Sequence, residues 1–569
     1  MRERLRGLRD FTPEIFLTLK QGYNIDLFKR DLFAGITVAI IALPLAMAFA
    51  IASGVEPERG LFTAIMAGIF VAIFGGSRTQ IAGPTGAFVV ILYDTVLRYG
   101  YEGLAIATIM AGIMLIIMGF LKFGMVLKFI PYPVITGFTT GIALIIFSST
   151  IKDFFGLEIE QLSSDFIAKW EQYFYNLDGI NIYAFLIAST TIVLMLYSKK
   201  LCYRAPSAIV AIVAVSLITY FFGLDIETIE SKFGSIASTL PAPSMPEITL
   251  SKIRELLPPA ITIALLAAIE SLLSAVVADG MSGTRHNSNS ELIGQGLGNI
   301  GSIIFGGIAS TGAIARTATN IKSGGATPIS AIIHSVMIVI FMFALSALII
   351  KIPMAALAAV LVVVAWNMSE LKHFFHILKG PKSDAVVLVI TFLLTVLVDL
   401  TVAVQVGVIL ASMLFIKRVT DVIDIEDNKL KFNQFYAQRD DIVDDPDAIS
   451  KKIIPDGVEV YEINGPFFFG VADRLQNVLD NIEEKPIVFI LRMRKVPMID
   501  ATAMHALNEF YKNCEQNGTT LVLSGVSDGL KESLNEARFF DSFDIAYMAG
   551  NIDEALEITS RVLENITEA

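Results

Sequence analysis

Ala82-Gly83-Pro84-Thr85-Gly86-Ala87 opens one short apolar segment of this chain, and Thr311-Gly312-Ala313 opens another 226 residues later than Thr85. The same offset carries Pro44, in the middle of the first long apolar run, onto Glu270, in the middle of a later one. Each pair, Pro44 with Thr85 and Glu270 with Thr311, is 41 residues apart. Two membrane halves in register, each with a short Gly-interrupted segment at the same place, point to a secondary transporter with its binding site near the midplane.

Composition agrees with a membrane body. The 569 residues are 54% hydrophobic and 17% charged, where a soluble chain carries about a quarter charged. Many apolar runs exceed the ~18–20 residues needed to cross ~30 Å of hydrocarbon. From Lys417 onward there are 16 Lys and Arg against 29 Asp and Glu, a net of −13, while the rest of the chain has a net of +1. An acidic tail therefore follows a nearly neutral membrane body, which argues against nucleic acid as a partner, since phosphate binding needs a basic face. Residues before Asp31 are polar and basic, with no apolar core or small-residue cleavage site of a signal peptide, so this start is expected in the cytoplasm. Cys202 and Cys514 are too few and too far apart for a disulfide framework.

Apolar runs predict spans near 31–53, 60–76, 84–98, 102–122, 132–150, 180–198 and 205–222. After a polar stretch with Pro241, Pro243 and Pro246, and an amphipathic piece around Ile248–Leu257, the plan repeats. The second set falls near 259–278, 291–308, 312–323, 327–349, 353–368, 384–400 and 401–416. Fourteen spans return the chain to the cytoplasm, where Lys417 and Arg418 follow. The reading divides the chain into an N-terminal segment 1–30, a transporter domain 31–416, a charged linker 417–455 and a soluble domain 456–569. In the last of these, strands at 458–463, 486–493 and 519–524 alternate with helices at 470–482, 501–516, 528–538 and 552–565, a small α/β domain. Asp399 is expected to cap the last span.

The segments beginning at Thr85 and Thr311 are too short to span alone at ~1.5 Å per residue. A helix starting near the midplane leaves its first N–H groups without partners. Two such ends facing each other aim free donors and positive dipole ends at one point, an anion site. Pro84 suits the entry to such a helix, and Gly86 and Gly312 would let an oxyanion approach the backbone. Glu270 is the only carboxylate in its apolar run, and a charge at that depth is costly, so it is functional or paired. It would exchange a proton during transport, or form a fixed ion pair with Arg316, one turn into the second half-helix. Ser274 lies one turn after Glu270, and its hydroxyl or that of Thr85 would contact substrate or ion, or bond its own backbone. His373 and His376 read as an interfacial segment rather than a metal site, and His334 as a packed, hydrogen-bonded histidine. No Walker lysine spacing appears, and no nucleophile–base or metal constellation supports an enzyme.

With these residues the chain resembles the sulfate permease (SulP) family of anion transporters with a C-terminal STAS domain. The resemblance rests on Ala82-Gly83-Pro84-Thr85-Gly86, on Thr284-Arg285-His286-Asn287-Ser288-Asn289 with Glu291, on Phe305-Gly306-Gly307, on Ala315-Arg316-Thr317, and on Val496-Pro497-Met498-Ile499-Asp500-Ala501-Thr502-Ala503 in the tail. It implies a polytopic α-helical membrane protein whose fourteen segments form a seven-plus-seven inverted repeat. A core domain would move against a gate domain, in a homodimer. The anion would lie between the third and tenth helices, lined by Thr85, Gly86 and Ala87 on one side and Gly312, Ala313 and Ile314 on the other, with Arg316 as the basic residue. Leu45 stands where many relatives have Gln. Glu270 matches the acidic position of the eighth helix, where sodium-coupled bicarbonate members tend to carry Asp with Thr one turn later. The pair Glu270 and Ser274 changes the cavity a sodium ion would occupy and favours proton coupling. In the tail, Asp500-Ala501-Thr502 matches the turn that is phosphorylated in STAS relatives, with Thr502 as the only hydroxyl and Asp500 placed to cap a helix.

The function expected is proton-coupled secondary transport of a small inorganic anion across the bacterial inner membrane, sulfate by family default. Sodium-coupled bicarbonate or a proton-coupled C4-dicarboxylate such as fumarate or succinate is the alternative. A membrane-anchored anion sensor signalling through the tail is a rival from another class, and an anion channel a third. No cofactor is expected beyond the coupling ion, H+ or Na+. Expected partners are the bilayer, a second copy of the chain and a cytoplasmic regulatory protein at the STAS domain.

Overall fold

The computed structural model describes residues 11–124, 131–159, 162–201, 207–234, 241–398, 400–422, 425–427, 449, 452–468, 475 and 485–567. Cys202, Asp399 and all but one residue of the helix predicted at 470–482 lie outside the described residues. The chain divides into two compact units, residues 1–411 and 412–569.

The first unit is helical. After α1 (Glu14–Gln21), its first half runs α2 (Ile25–Ala52), α3 (Pro57–Phe74), strand β1 (Ala82–Gly83), α4 (Gly86–Phe120), α5 (Tyr132–Phe155), α6 (Phe166–Tyr175), α7 (Ile182–Leu201) and α8 (Ser207–Phe222). Short helices α9 (Ile229–Phe233) and α10 (Leu250–Glu255) lead to the second half. That half runs α11 (Leu257–Ser282), α12 (Ser288–Ile304), strand β2 (Thr311–Gly312), α13 (Ile314–Lys322), α14 (Ile329–Ile349), α15 (Met354–Met368), α16 (Leu371–Leu378), α17 (Lys382–Leu397) and α18 (Leu400–Val422). Helix α4 breaks at Gly100, whose φ of 67° lies in the left-handed region, so it supplies two of the predicted spans, one on each side of the turn. Setting aside α1, α6, α9, α10 and α16, the described helices make the fourteen segments.

Helix contacts come in symmetry-related couples. α4 packs on α12 as α14 packs on α3; α11 packs on α4 as α2 packs on α14; α5 packs on α17 as α15 packs on α7. These couples are what an inverted repeat requires. The first two sets, with α13, form a core body from α2–α4 and α11–α14, and the third, with α8 packed on α7, a gate body from α5, α7, α8, α15 and α17. Small residues permit close core seams: a Cβ on Gly60 would lie 2.0 Å from the Ala46 carbonyl oxygen, and one on Gly296 would lie 2.5 Å from that of Gly112.

The second unit holds a five-stranded sheet of order β3 (Ile425–Asp427), β4 (Val458–Asn464), β5 (Val488–Lys495), β6 (Thr520–Ser524) and β7 (Met548–Ala549). β3 is antiparallel to β4 and the other neighbours are parallel. Among the described residues the unit carries helices α19 (Ala501–Gln516), α20 (Asp528–Glu536) and α21 (Ile552–Thr567). Phe489, Phe510 and Leu523 anchor the apolar layer beneath α19, and Ile490, Val522 and Ile552 a second layer. β5 reads as a nearly continuous apolar run because both its faces are covered. Strand β3 and the last turns of α18 fall inside 417–455, where charge alone suggested an irregular linker.

Candidate anion-binding site

The two interrupted segments meet. β1 pairs antiparallel with β2, Ala82 opposite Gly312 and Gly83 opposite Thr311, and the Ala313 amide extends the pairing to the Ile81 carbonyl at 2.8 Å. Each strand then turns into a half-helix, α4 after Thr85 and α13 after Ala313. The structural equivalent of Thr85 is therefore Ala313, not Thr311. The tripeptide match is out of register by two residues, because Thr311 and Gly312 belong to the strand. Neither cap position uses its side chain for capping. The N–H groups of Gly86 and Ala87, and of Ile314, Ala315 and Arg316, lack acceptors within their helices, as expected for a first turn.

Gly83 and Gly312 are required by close approach, each to a side chain from the other half. A Cβ on Gly83 would fall 2.4 Å from Nη1 of Arg316, and one on Gly312 would fall 1.6 Å from Nε2 of Gln80. Gly312 thus makes room for Gln80, rather than for an oxyanion. Gln80 also donates to the Ser271 carbonyl at 3.3 Å. Sequence reading missed it, for its role appears only once the strands cross.

Arg316 is 3% exposed, and neither Nη1 nor Nη2 has a hydrogen-bond acceptor. Among the described residues it makes no ion pair, so the fixed pair with Glu270 offered by the sequence is not formed. Its guanidinium lies against the β1 backbone at Gly83.

Glu270, on α11, instead accepts a hydrogen bond from the Thr85 hydroxyl at 3.0 Å. One oxygen of this carboxylate is thus held at the N-terminal end of half-helix α4. Ser274 is turned elsewhere: its hydroxyl donates to Thr317 Oγ1 at 3.3 Å, and Thr317 accepts from the Ile81 amide at 3.0 Å. Ser274 therefore ties α11 to α13 and the strand entry. Ser271 supports the crossing as well, sharing a hydrogen with Thr311 at 2.8 Å and accepting from the Gly312 amide at 3.3 Å. Gly86 faces the gate body, since a Cβ there would lie 3.0 Å from Met368 Sδ and 3.1 Å from Ile146. Ala87 and Ala313 are buried, while Ile314 is 42% exposed.

Three other motifs resolve. His334 is fully buried, and among the described residues neither ring nitrogen has a partner, so it is packed and not hydrogen-bonded there. The Thr284–Asn289 stretch forms a Ser–His–Asp arrangement with Asp279 of α11 that sequence reading did not find: His286 Nδ1 lies 2.7 Å from Asp279 Oδ2, and its Nε2 lies 2.9 Å from Ser288 Oγ. Ser288 is only 9% exposed, and Asp279 also accepts from the His286 amide, so the group staples the α11–α12 turn. Asp500 caps α19 by accepting from the Ala503 amide at 2.8 Å, and Thr502 stands exposed beside it.

Comparison with known proteins agrees with this architecture. The sulfate permease family model matches residues 28–391, and the STAS domain model residues 450–555. A Bacillus subtilis protein named "Putative sulfate transporter YvdB" is 40% identical over 94% of this chain and 98% of its own length. The bicarbonate transporter BicA of Picosynechococcus is 31% identical over 90% of this chain and 91% of its own. The structure of the murine Slc26a9 anion transporter superposes with a TM-score of 0.85 at 19% identity, covering 98% of this chain and 95% of that one, a likeness of fold. With both repeats, the strand crossing and the tail domain in place, this chain belongs to the sulfate permease family and carries a C-terminal STAS domain.

Proposed function

We propose that this protein is a proton-coupled secondary transporter of a small oxyanion, sulfate first among them, working by alternating access of the core body against the gate body. The observation that carries the reading is Arg316. A guanidinium so deeply buried, with no carboxylate beside it, is costly unless an anion visits. The converging ends of α4 and α13 supply free N–H groups and positive dipole ends at the same place. The most similar relatives named above, a sulfate and a bicarbonate transporter by name, support the substrate class.

Glu270 supplies the coupling. Its carboxylate occupies one end of the cradle through Thr85, so a substrate anion arriving there meets a like charge at close range. Neutralising Glu270 with a proton removes that repulsion, and proton and anion travel together as a symport. Thr85 can donate to either the carboxylate or the anion, which makes it the hand-over point.

The membrane is the bacterial inner membrane, with the N-terminal end and the STAS domain in the cytoplasm. Alternation of the spans puts Lys20, Lys29, Arg30, Arg78, Lys122, Arg285, Lys322, Lys372, Lys379, Lys382, Lys417 and Arg418 on one side, against Arg59, Arg98, Lys152, Lys169, Lys232, Lys252, Arg254 and Lys351 on the other. The positive-inside rule makes the first side cytoplasmic. The STAS domain serves dimerisation or regulation, with Thr502 exposed for modification.

The test is uptake of labelled sulfate, bicarbonate and fumarate into proteoliposomes under an imposed proton or sodium gradient. Accumulation driven by protons, lost in Glu270→Gln while anion binding persists, is the expected result. Accumulation driven only by sodium would overturn proton coupling and move bicarbonate to the front. Binding without transport from either side would favour the sensor reading.

A further inference from the structure

From about one turn beyond Thr85 along α4, a cavity of about 180 Å³ opens between core and gate. Its core wall is α4 from Val89 to Arg98; its gate wall is Ile145 and Ser149 of α5, the start of α6, and the end of α17. Tyr93, which lines it, is eight residues past Thr85, about 12 Å along a helix. Under the topology above, this is the external side of the site.

Lys169 faces this cavity. Helix α6 is pinned to α5 by Trp170, which donates to Ser148 Oγ at 3.2 Å, and by Tyr173, which donates to the Ser148 carbonyl at 2.7 Å. That docking carries Lys169 inward until it is 3% exposed. Its ammonium donates to Ser149 Oγ at 3.0 Å, and Ser149 passes its own hydrogen to the Ile145 carbonyl at 2.9 Å. Two of the three ammonium hydrogens remain unused, and Lys169 makes no ion pair among the described residues. The other charged or titratable groups around it are accounted for. Asp165 caps α6 through the Ala168 amide at 2.8 Å, Asp94 pairs with Arg98 at 3.0 Å, and the Tyr93 hydroxyl donates to the Leu162 carbonyl at 2.7 Å.

The surrounding charge makes this position unusual. Residues 156–181 carry five acidic side chains, Glu158, Glu160, Asp165, Glu171 and Asp178, and Lys169 as their one basic residue. Within this acidic segment the one basic side chain is buried against the cavity, on the seam that must open for substrate to enter. Ordinary surface lysines keep their ammonium in water; this one has exchanged it for one serine hydroxyl and the face of the Tyr93 ring, 6.0 Å from the ring centroid.

We propose that the cavity beside Lys169 and Ser149 is an external docking site for the transported oxyanion, occupied before the anion reaches the α4 and α13 ends. The unused ammonium hydrogens would bind the oxyanion by charge-assisted bonds. As the seam opens, Tyr93 and Val89 lead inward along α4. This inference rests on the anion-transport reading, and adds a second station with its own chemistry. Burial pulls the Lys169 ammonium down to about 8, against a smaller upward pull from Asp165. The station therefore loses its charge as external pH rises past that value, and external affinity falls with it.

The experiment is equilibrium exchange of labelled sulfate, or of bicarbonate if sulfate is not carried, in oriented proteoliposomes with equal pH on both sides, so that no proton gradient acts. KM is measured from each face at about pH 7 and about pH 9. Wild type should lose external affinity at the higher pH by about fivefold or more, with the internal KM moving much less. Lys169→Met should raise the external KM by about tenfold at the lower pH and erase its pH dependence. Lys169→Arg keeps a charge that does not titrate, so its external KM should stay near the wild-type value at about pH 7 under both conditions. An external KM in Lys169→Met equal to wild type overturns the proposal, as does an unchanged pH dependence in Lys169→Arg. If Lys169→Met does not fold, the Lys169→Arg profile decides alone. Loss of exchange from both faces in wild type would instead count against the transport reading itself.

Discussion

The Thr85 hydroxyl donates to the Glu270 carboxylate across 3.0 Å, joining the cap of the third span to the middle of the eighth. In the proposed cycle Thr85 faces the substrate and Glu270 carries the proton, so the one hydrogen bond they share lets events at one be felt at the other. This is the physical basis for coupling in the proposed cycle.

Thr85→Val removes that hydrogen bond while keeping the side chain's shape. A bond to a charged group is worth about 1.5–3 kcal/mol, so gradient-driven kcat/KM should fall by about ten- to a hundredfold. Thr85→Ser should keep most of the activity. The check is initial-rate uptake with matched protein levels, and wild-type rates in Thr85→Val would remove Thr85 from the coupling path.

Arg316→Met removes the buried charge, and Arg316→Lys keeps one on a shorter reach. Anion affinity, read by radioligand binding in detergent, should fall about a hundredfold or more in the first and about tenfold or less in the second. Since Arg316 is unpaired, losing its charge should leave thermal stability unchanged or raised. A large drop in Tm without loss of affinity would show a structural role instead.

Gly296→Ala tests the packing of α4 on α12 rather than the site. The new methyl group would meet the Gly112 carbonyl at 2.5 Å, a backbone atom that cannot swing aside. Overpacking of this kind costs about 1–3 kcal/mol, visible as a lowered Tm in detergent. A variant as stable as wild type would mean that the two helices separate without cost.

Cys514 tests the STAS core. Burial pushes its thiol up to about 12, with Glu515 adding to the shift. An ordinary cysteine ionises near ~8.5, so at about pH 8 the native thiol should resist maleimide, with labelling of its peptide read by mass spectrometry. Because the folded pKa is raised, this group's stabilising contribution is present below the unfolded value and fades as pH climbs past ~8.5 towards 12. Rapid labelling of native protein at about pH 8 would contradict the burial.

Much of this was legible in the chain itself. The fourteen segments follow from apolar runs, since a bilayer demands length and apolarity that few other settings do. Glu270 and Arg316 stood out because charge is rare in such runs. In the tail, α19 falls at the expected residues because Asp500 marks its start with a capping side chain. Gln80 and Thr317 were invisible, as polar residues beside glycine have many uses. The Ser288–His286–Asp279 group needs a turn to fold its three members together. The register of the two halves misled by two residues, because Thr-Gly-Ala occurs at a helix cap in one half and a strand in the other.

By itself, the sequence determined which segments enter the membrane, that they form two matched halves, and that an acidic α/β domain follows them. These depend on hydrophobicity, periodicity and capping, which are properties of neighbouring residues. The tertiary structure alone decided that Glu270 meets Thr85 rather than Arg316, that Gly312 yields its space to Gln80, and that Lys169 turns inward. Each of these is a contact between residues far apart in the chain, set by the antiparallel crossing of β1 and β2 or by the docking of α6 on α5, and no local pattern encodes such distances.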